Sequence, residues 1–293
     1  MSDLSRDYTV TTICFALKKG GSYLLYLLAV FSFLLFYLLR PAFSALFYEQ
    51  NKVQQNYRGK EITFPWGLPL IIVLTATFLL HLLIAGPDVL VWQAVLLLYL
   101  AGFLGLADDV LGDHKNRGFA GHFKSFLRQR RLTTGMIKAV LGLLFAVVLS
   151  SERASPSRML ITALNLALCM NAINLLDVAP GRAGKGFLFA LLLITVSGSG
   201  QAARTLGLAA VGALLAYLPV DLSEQGMLGD TGANALGGLL GLILIHDLSL
   251  DGQIISLFVL IAVHVLATYY SISQLINHVP YLLVLDRLGR IRK

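Results

Sequence analysis

Charge is what this chain has least of. Asp, Glu, Lys and Arg make up 13% of its 293 residues, about half the ~25% usual in soluble domains. A soluble domain of this length could not cover its core with so little polar surface. Cysteine is almost missing as well: Cys14 and Cys169 stand far apart, with no CxxC or Cys/His spacing. That excludes a disulfide framework and a zinc site, and both read as small apolar residues. No A-x-A exit follows the first apolar run, so a spanning helix is expected there, not a cleavable leader. No internal repeat of the transporter kind is visible.

In place of charge the sequence has long apolar runs, and 57% of the chain is hydrophobic. The stretch from Ser22 to Leu39 carries no charged residue. As a helix, a run of that length crosses a hydrocarbon core of ~30 Å. The fold class expected is all-α, a polytopic membrane protein with about nine spans near 22–40, 67–85, 89–107, 133–150, 158–176, 186–199, 203–219, 231–247 and 254–274. So many spans leave no room for a soluble domain, and residues 1–293 read as a single membrane domain.

The net charge of +7 is unevenly spread. One set of connections comprises residues 41–66, 108–132, 177–185, 220–230 and the tail 275–293; with Arg40 it holds 16 Lys and Arg. The N-terminus and the short links on the other side hold 6. The positive-inside rule assigns the richer set to the cytoplasm. An anionic ligand site would add to the same excess, and nucleic acid is not expected as a partner. The segments able to do chemistry all fall in this set, so function is expected at the cytoplasmic face.

Asp108-Asp109 lies in GLADDVLGDHKNRGFAGHFKSF. Charge at a membrane boundary is costly unless paired, hydrated or binding a cation. Adjacent carboxylates can hold Mg²⁺ against substrate phosphates, or one can act as a base; a hydrated helix end is the plainer alternative. The glycines and cations that follow, Lys124 among them, suit phosphate. Asn171, Asn174 and Asp177 recur at a spacing of three and make a polar stripe on one helix side. Amides there can also simply join helices. Pro180 and Gly181 then break the helix, and Arg182 and Lys185 add positive charge. Asp230, in GDTGAN, opens another helix and could merely cap it. Gly237, Gly238 and Gly241 would let a neighbouring helix come close. The basic loop Asn56-Tyr57-Arg58-Gly59-Lys60 reads equally well as a topology signal.

Taken in order, these segments resemble the polyprenyl-phosphate N-acetylhexosamine-1-phosphate transferases, the glycosyltransferase 4 family that includes phospho-N-acetylmuramoyl-pentapeptide transferase. The likeness runs from about Arg58 to about Gly241. The resemblance implies transfer of a phosphosugar from a UDP-sugar to a polyprenyl phosphate such as undecaprenyl phosphate, with release of UMP, as in cell-wall assembly. It implies Asp108 or Asp109 orienting or deprotonating the lipid phosphate and Lys124 contacting phosphate. Asp230 would be a Mg²⁺ ligand, and Asn171, Asn174 and Asp177 would face the nucleotide sugar. Membrane lipid surrounds the protein, and a homodimer is compatible with this reading.

Two departures stand out. After Asp177 the family has Gly-Leu-Asp-Gly-Leu-Ala, whereas this chain has VAPGRAGK. The family's histidine-rich loop has only His278 as a counterpart, in a tail expected to form no further span. Arg182 and Lys185 are therefore expected to supply charge toward the diphosphate. The alternative is a relative that binds lipid phosphate or nucleotide sugar without turnover; a transporter comes third. The charge asymmetry makes a direct prediction. A cysteine placed near Ser155 should be labelled from outside the cell, and one near Asn116 should not; the opposite pattern overturns the orientation.

Overall fold

The computed structural model describes residues 21–111, 143–144, 147–149 and 155–290. The Lys124 segment and most of the expected span at 133–150 lie outside the described residues. The rest is an all-α bundle, and the protein is a polytopic membrane protein. Its helices are α1 (Gly21–Glu49), α2 (Gly67–Ala85), α3 (Val89–Leu111), α4 (Pro156–Leu176), α5 (Arg182–Ser197), α6 (Leu208–Leu222), α7 (Gly229–Asp247), α8 (Leu250–Tyr269), α9 (Ile272–His278) and α10 (Pro280–Arg287). A hairpin of β1 (Val53–Gln55) and β2 (Glu61–Thr63) follows α1. Among the described residues, 6 helices are long and apolar enough to cross a membrane.

Helix α7 is the centre of the bundle. Apart from Asp230 and His246, every residue in it is buried, and it packs chiefly on α3 and α4. Its glycines are where the neighbours approach. A Cβ on Gly237 would meet the Cys169 carbonyl and Met170, one on Gly241 would meet Leu166 and Cys169, and one on Gly238 would meet Leu97. Cys169 is a free, buried packing residue. Without a hydrophobic drive between helices in lipid, such close backbone packing is what holds them together.

Polar glue holds α8, whose surface is otherwise largely exposed. The Asn165 amide donates to the Gln253 carbonyl at 2.9 Å and its oxygen accepts from Ser256 Oγ at 2.7 Å. Gln253 Nε2 donates to the Ile245 and Leu248 carbonyls at 3.1 Å each.

Several boundaries differ from the sequence reading. Helix α1 continues through Pro41 to Glu49, where a loop from residue 41 was expected. Phe43 and Phe47 sit one turn apart, and Phe47 packs edge-on to Trp66 with centroids 5.7 Å apart. That apolar contact outweighs the break a proline tends to cause. Helix α3 carries Asp108 and Asp109 inside its last turns. Residues 203–222 form one span that opens with a π-helical turn, Ala203–Gly207. The tail after α8 folds as two short helices.

The packing of α1 on α6 depends on Gly212, where an added Cβ would strike the Ala29 carbonyl. Gly212→Val is expected to cost on the order of 1–3 kcal/mol, as overpacking does. The check is a lowered melting temperature in detergent; an unchanged one contradicts this packing.

Candidate active site

A helix buried as deeply as α7 has a problem at its start, because its first N–H groups have no partners within the helix. Its N-cap, Leu228, offers no side-chain hydrogen bond. The partner comes from α3. Asp109 Oδ1 accepts from the Asp230 N–H at 2.9 Å, and Oδ2 accepts from the Thr231 N–H at 2.9 Å and the Thr231 hydroxyl at 2.6 Å. Asp109 thus caps α7 from another helix. Asp230 lies in the first turn of α7 and does not cap it. The approach is close: a Cβ on Gly105, one turn before Asp109, would run into the Asp230 carbonyl.

The loop before α7 is held just as firmly. Residues 225–227 run beside β2: the Thr63 N–H donates to the Gln225 carbonyl at 3.2 Å and the Met227 N–H to the Thr63 carbonyl at 3.1 Å. Glu224, left-handed at φ 54, is gripped by the basic loop. Asn56 Nδ2 and Tyr57 Oη each donate to its carboxylate at 3.2 Å, Arg58 lies 3.4 Å away, and Lys60 Nζ reaches its carbonyl at 2.9 Å. The loop at 56–60 is therefore a clasp on the segment that delivers Asp230.

Asp177 ends α4 as its C-cap, on the same end of the bundle. Desolvation, and then the nearby carboxylates of Asp221, Asp230 and Asp109, push its carboxyl well above the ordinary carboxylate range, against a backbone hydrogen bond from Gly229. Acids from α3, α6 and α7 thus act on Asp177 at the end of α4. Asp221 is the member the sequence reading missed; it stands alone near the end of an apolar helix, a weaker signal than a carboxylate pair. Its Oδ2 accepts from the Gly181 N–H at 2.9 Å, so it holds the turn that follows Asp177. Asn174 is half-buried on α4, and Asn171 is exposed. Asp108 is half-buried beside Asp109.

Arg182 and Lys185 were expected to face substrate. Here both engage the tail: Arg182 pairs with Asp286 and bonds Ser273, and Lys185 Nζ reaches the carbonyls of Leu285, Asp286 and Leu288. Among the described residues, no three His, Cys, Asp or Glu side chains form a ready-made metal shell.

The family model of glycosyl transferase family 4 matches residues 91–247, just over half of the chain. The chain belongs to glycosyl transferase family 4. The family is one of membrane phosphosugar transferases, and this protein is a glycosyl-phosphate transferase in that general sense. The matched span runs from α3 through α7 and contains all four converging acids. The hairpin clasp and the tail lie outside it. No curated protein matches the chain.

The cap geometry separates two roles for Asp109. As a cap, it supports the fold; as a base alone, it would not. Asp109→Asn keeps one acceptor oxygen and Thr231→Val removes a donor. Each should lower stability by ~1 kcal/mol, the scale of a lost helix cap, and together by less than the sum. Thermal melts of the two single variants and the double variant check this; a parent-like melt for Asp109→Asn rejects the capping role.

Proposed function

We propose that this protein transfers a sugar-1-phosphate from a UDP-sugar to a polyprenyl phosphate and releases UMP, working at the cytoplasmic membrane face. The observation that carries the reading is the convergence of Asp109, Asp177, Asp221 and Asp230, from four helices of the family-matched span, at one end of the bundle. A carboxyl whose proton affinity is raised by three neighbouring acids, as that of Asp177 is, suits a site that receives a divalent cation together with anionic substrates. Mg²⁺ commonly takes one or two protein carboxylates and completes its shell with water and substrate phosphates. Asp230 would hold it. When bound, Mg²⁺ would offset the charge of the diphosphate as it is attacked.

The residues then divide the work. An oxygen of the lipid phosphate forms a bond to the β-phosphorus, and the bond from that phosphorus to the bridging oxygen breaks, leaving with UMP. We assign proton acceptance from the lipid phosphate to Asp108, one of the two adjacent acids to which the family resemblance gives that role. Asp109 holds Asp230 in place. Asn171, Asn174 and Asp177 face the nucleotide sugar, and Lys124 contacts phosphate.

The test is UMP release by purified protein given undecaprenyl phosphate and a panel of UDP-sugars. Asp230→Asn should cut turnover by at least about a hundredfold, the scale of losing one group that stabilises developing charge, while the protein stays folded in detergent. Unchanged turnover rejects the role of Asp230. Binding of substrates by the parent with no UMP from any donor would favour the reading as a binding protein.

A further inference from the structure

The turn that follows Asp177 is held from two sides. On one side Asp221 grips the Gly181 N–H. On the other side is the tail, which was expected to form no further span and folds as α9 and α10. Arg182 meets Asp286 as a two-point fork, Nε to Oδ1 at 2.9 Å and Nη2 to Oδ2 at 3.2 Å, with side-chain exposures of 8% and 6%. Its third nitrogen, Nη1, donates to Ser273 Oγ on α9 at 3.0 Å. Arg290 closes the group: Nη2 donates to Asp286 Oδ1 at 2.6 Å and Nε to the Pro180 carbonyl at 3.1 Å. Lys185 adds a cap on the end of α10, donating to the carbonyls of Leu285, Asp286 and Leu288 at 3.0, 2.7 and 3.1 Å. A cation at a helix C-terminus is favourable. Gly289 is left-handed at φ 75, and a Cβ there would press on Leu222 of α6 at 3.2 Å.

A carboxylate this enclosed is held by its partners. Burial would raise the Asp286 carboxyl, but the Arg182 hydrogen bonds and the charges of Arg182, Arg290 and Lys185 hold it below the ordinary range. Paired, bidentate arginine and carboxylate groups fix geometry as well as proximity, and removing one partner leaves the other charged, buried and uncompensated.

The latch also builds a wall. Between the hairpin loop, the turn after Asp177 and the tail lies a cavity of about 360 Å³. Tyr57 and Arg58 line it from the hairpin, Val178, Ala179 and Arg182 from the turn, and Arg287 from the tail. Four arginines face it against one aspartate. Without the tail one side of this cavity would be open.

We propose that Asp286 is a positioning residue. Through Arg182 and Arg290 it latches α9 and α10 to the turn behind Asp177, and so gives the donor side of the site its shape. The donor part rests on the function proposed above; the latch itself does not. Neither Asp286 nor Arg290 lies in the family-matched span.

The test uses the full chain in detergent with Asp286→Asn, which keeps shape and removes charge, Asp286→Glu, Arg182→Gln, and the double variant Asp286→Asn with Arg182→Gln. Two quantities are read: hydrogen exchange of the amides in residues 272–290, and UDP affinity by calorimetry alongside donor KM and kcat. Asp286→Asn should speed exchange about tenfold or more. It should also weaken UDP binding and raise donor KM about tenfold, with kcat within about threefold, the pattern of lost binding and not lost chemistry. Asp286→Glu should recover part of both effects. The double variant should be no worse than the worse single variant, as for groups acting as one unit. Parent-like exchange in Asp286→Asn overturns the latch. Faster exchange with unchanged UDP affinity and KM overturns the positioning role. If the parent itself neither binds UDP nor turns over, the donor reading fails and the positioning role falls with it, while the exchange data still decide whether the tail is latched.

Discussion

A helix enclosed on every side in an apolar bundle cannot turn to water for the N–H groups of its first turn. In this protein one carboxylate, Asp109, meets that need for α7, accepting from Asp230 and Thr231. The rest of the site follows from it. The cap draws α3 against the start of α7 so closely that Gly105 has no room for a side chain. It fixes Asp230 beside the end of α3, and it brings a second negative charge within reach of Asp177. The two adjacent acids thus differ in setting: Asp109 caps α7, and Asp108 lies half-buried beside it.

The same economy runs through the segments outside the bundle. The hairpin contributes little apolar burial, yet it pairs with residues 225–227 and clasps Glu224. Behind it an aromatic group joins the two: Trp66 packs against Phe36, Phe47 and Tyr217 in tilted and edge-on contacts, and its indole N–H donates to Thr63 Oγ1 at 2.8 Å. The segment delivering Asp230 is therefore tied to α1 and α6 through apolar contacts and to the hairpin through polar ones. At the turn after Asp177 the balance is reversed. There, charge does nearly all the holding, through Asp221, Arg182, Asp286 and Arg290.

What was legible in the sequence was whatever repeats or clusters locally. The apolar runs gave the bundle, because length against bilayer thickness needs no partner to interpret. The acids at 108–109, 177 and 230 were legible as candidates because charge at the end of an apolar run is costly. Long-range pairings were not. Asp109 meets Thr231 across 122 positions and Arg182 meets Asp286 across 104, and no local period marks such partners. Helix α1 passes Pro41 for the same reason, since its later turns are stabilised by Trp66, which a window around the proline does not contain. Asp221 was overlooked because a lone acid within an expected loop, 220–230, looks like ordinary solvation.

The opposite end of α7 shows why convergence, and not capping, is the argument for a site. Asp247 is also buried at a helix end, and it also caps a neighbour: it accepts from Ser199 Oγ at 2.8 Å and from the Ala202 and Ala203 N–H groups at 2.9 and 2.8 Å. By hydrogen bonding alone it is the twin of Asp109. The difference lies in what surrounds the two caps. Asp247 ties α7 to the turn that opens the 203–222 span, and every one of these bonds is accounted for by that junction. Asp109 makes the same kind of junction, but the helix it caps begins with another acid, and a third and a fourth arrive from α4 and α6. Repulsion among them has no structural benefit, since a bundle built only for stability would have replaced some of them with neutral side chains of similar volume. Their convergence at one end of the bundle is the observation on which the proposed site rests, and it is read from the geometry without the family match.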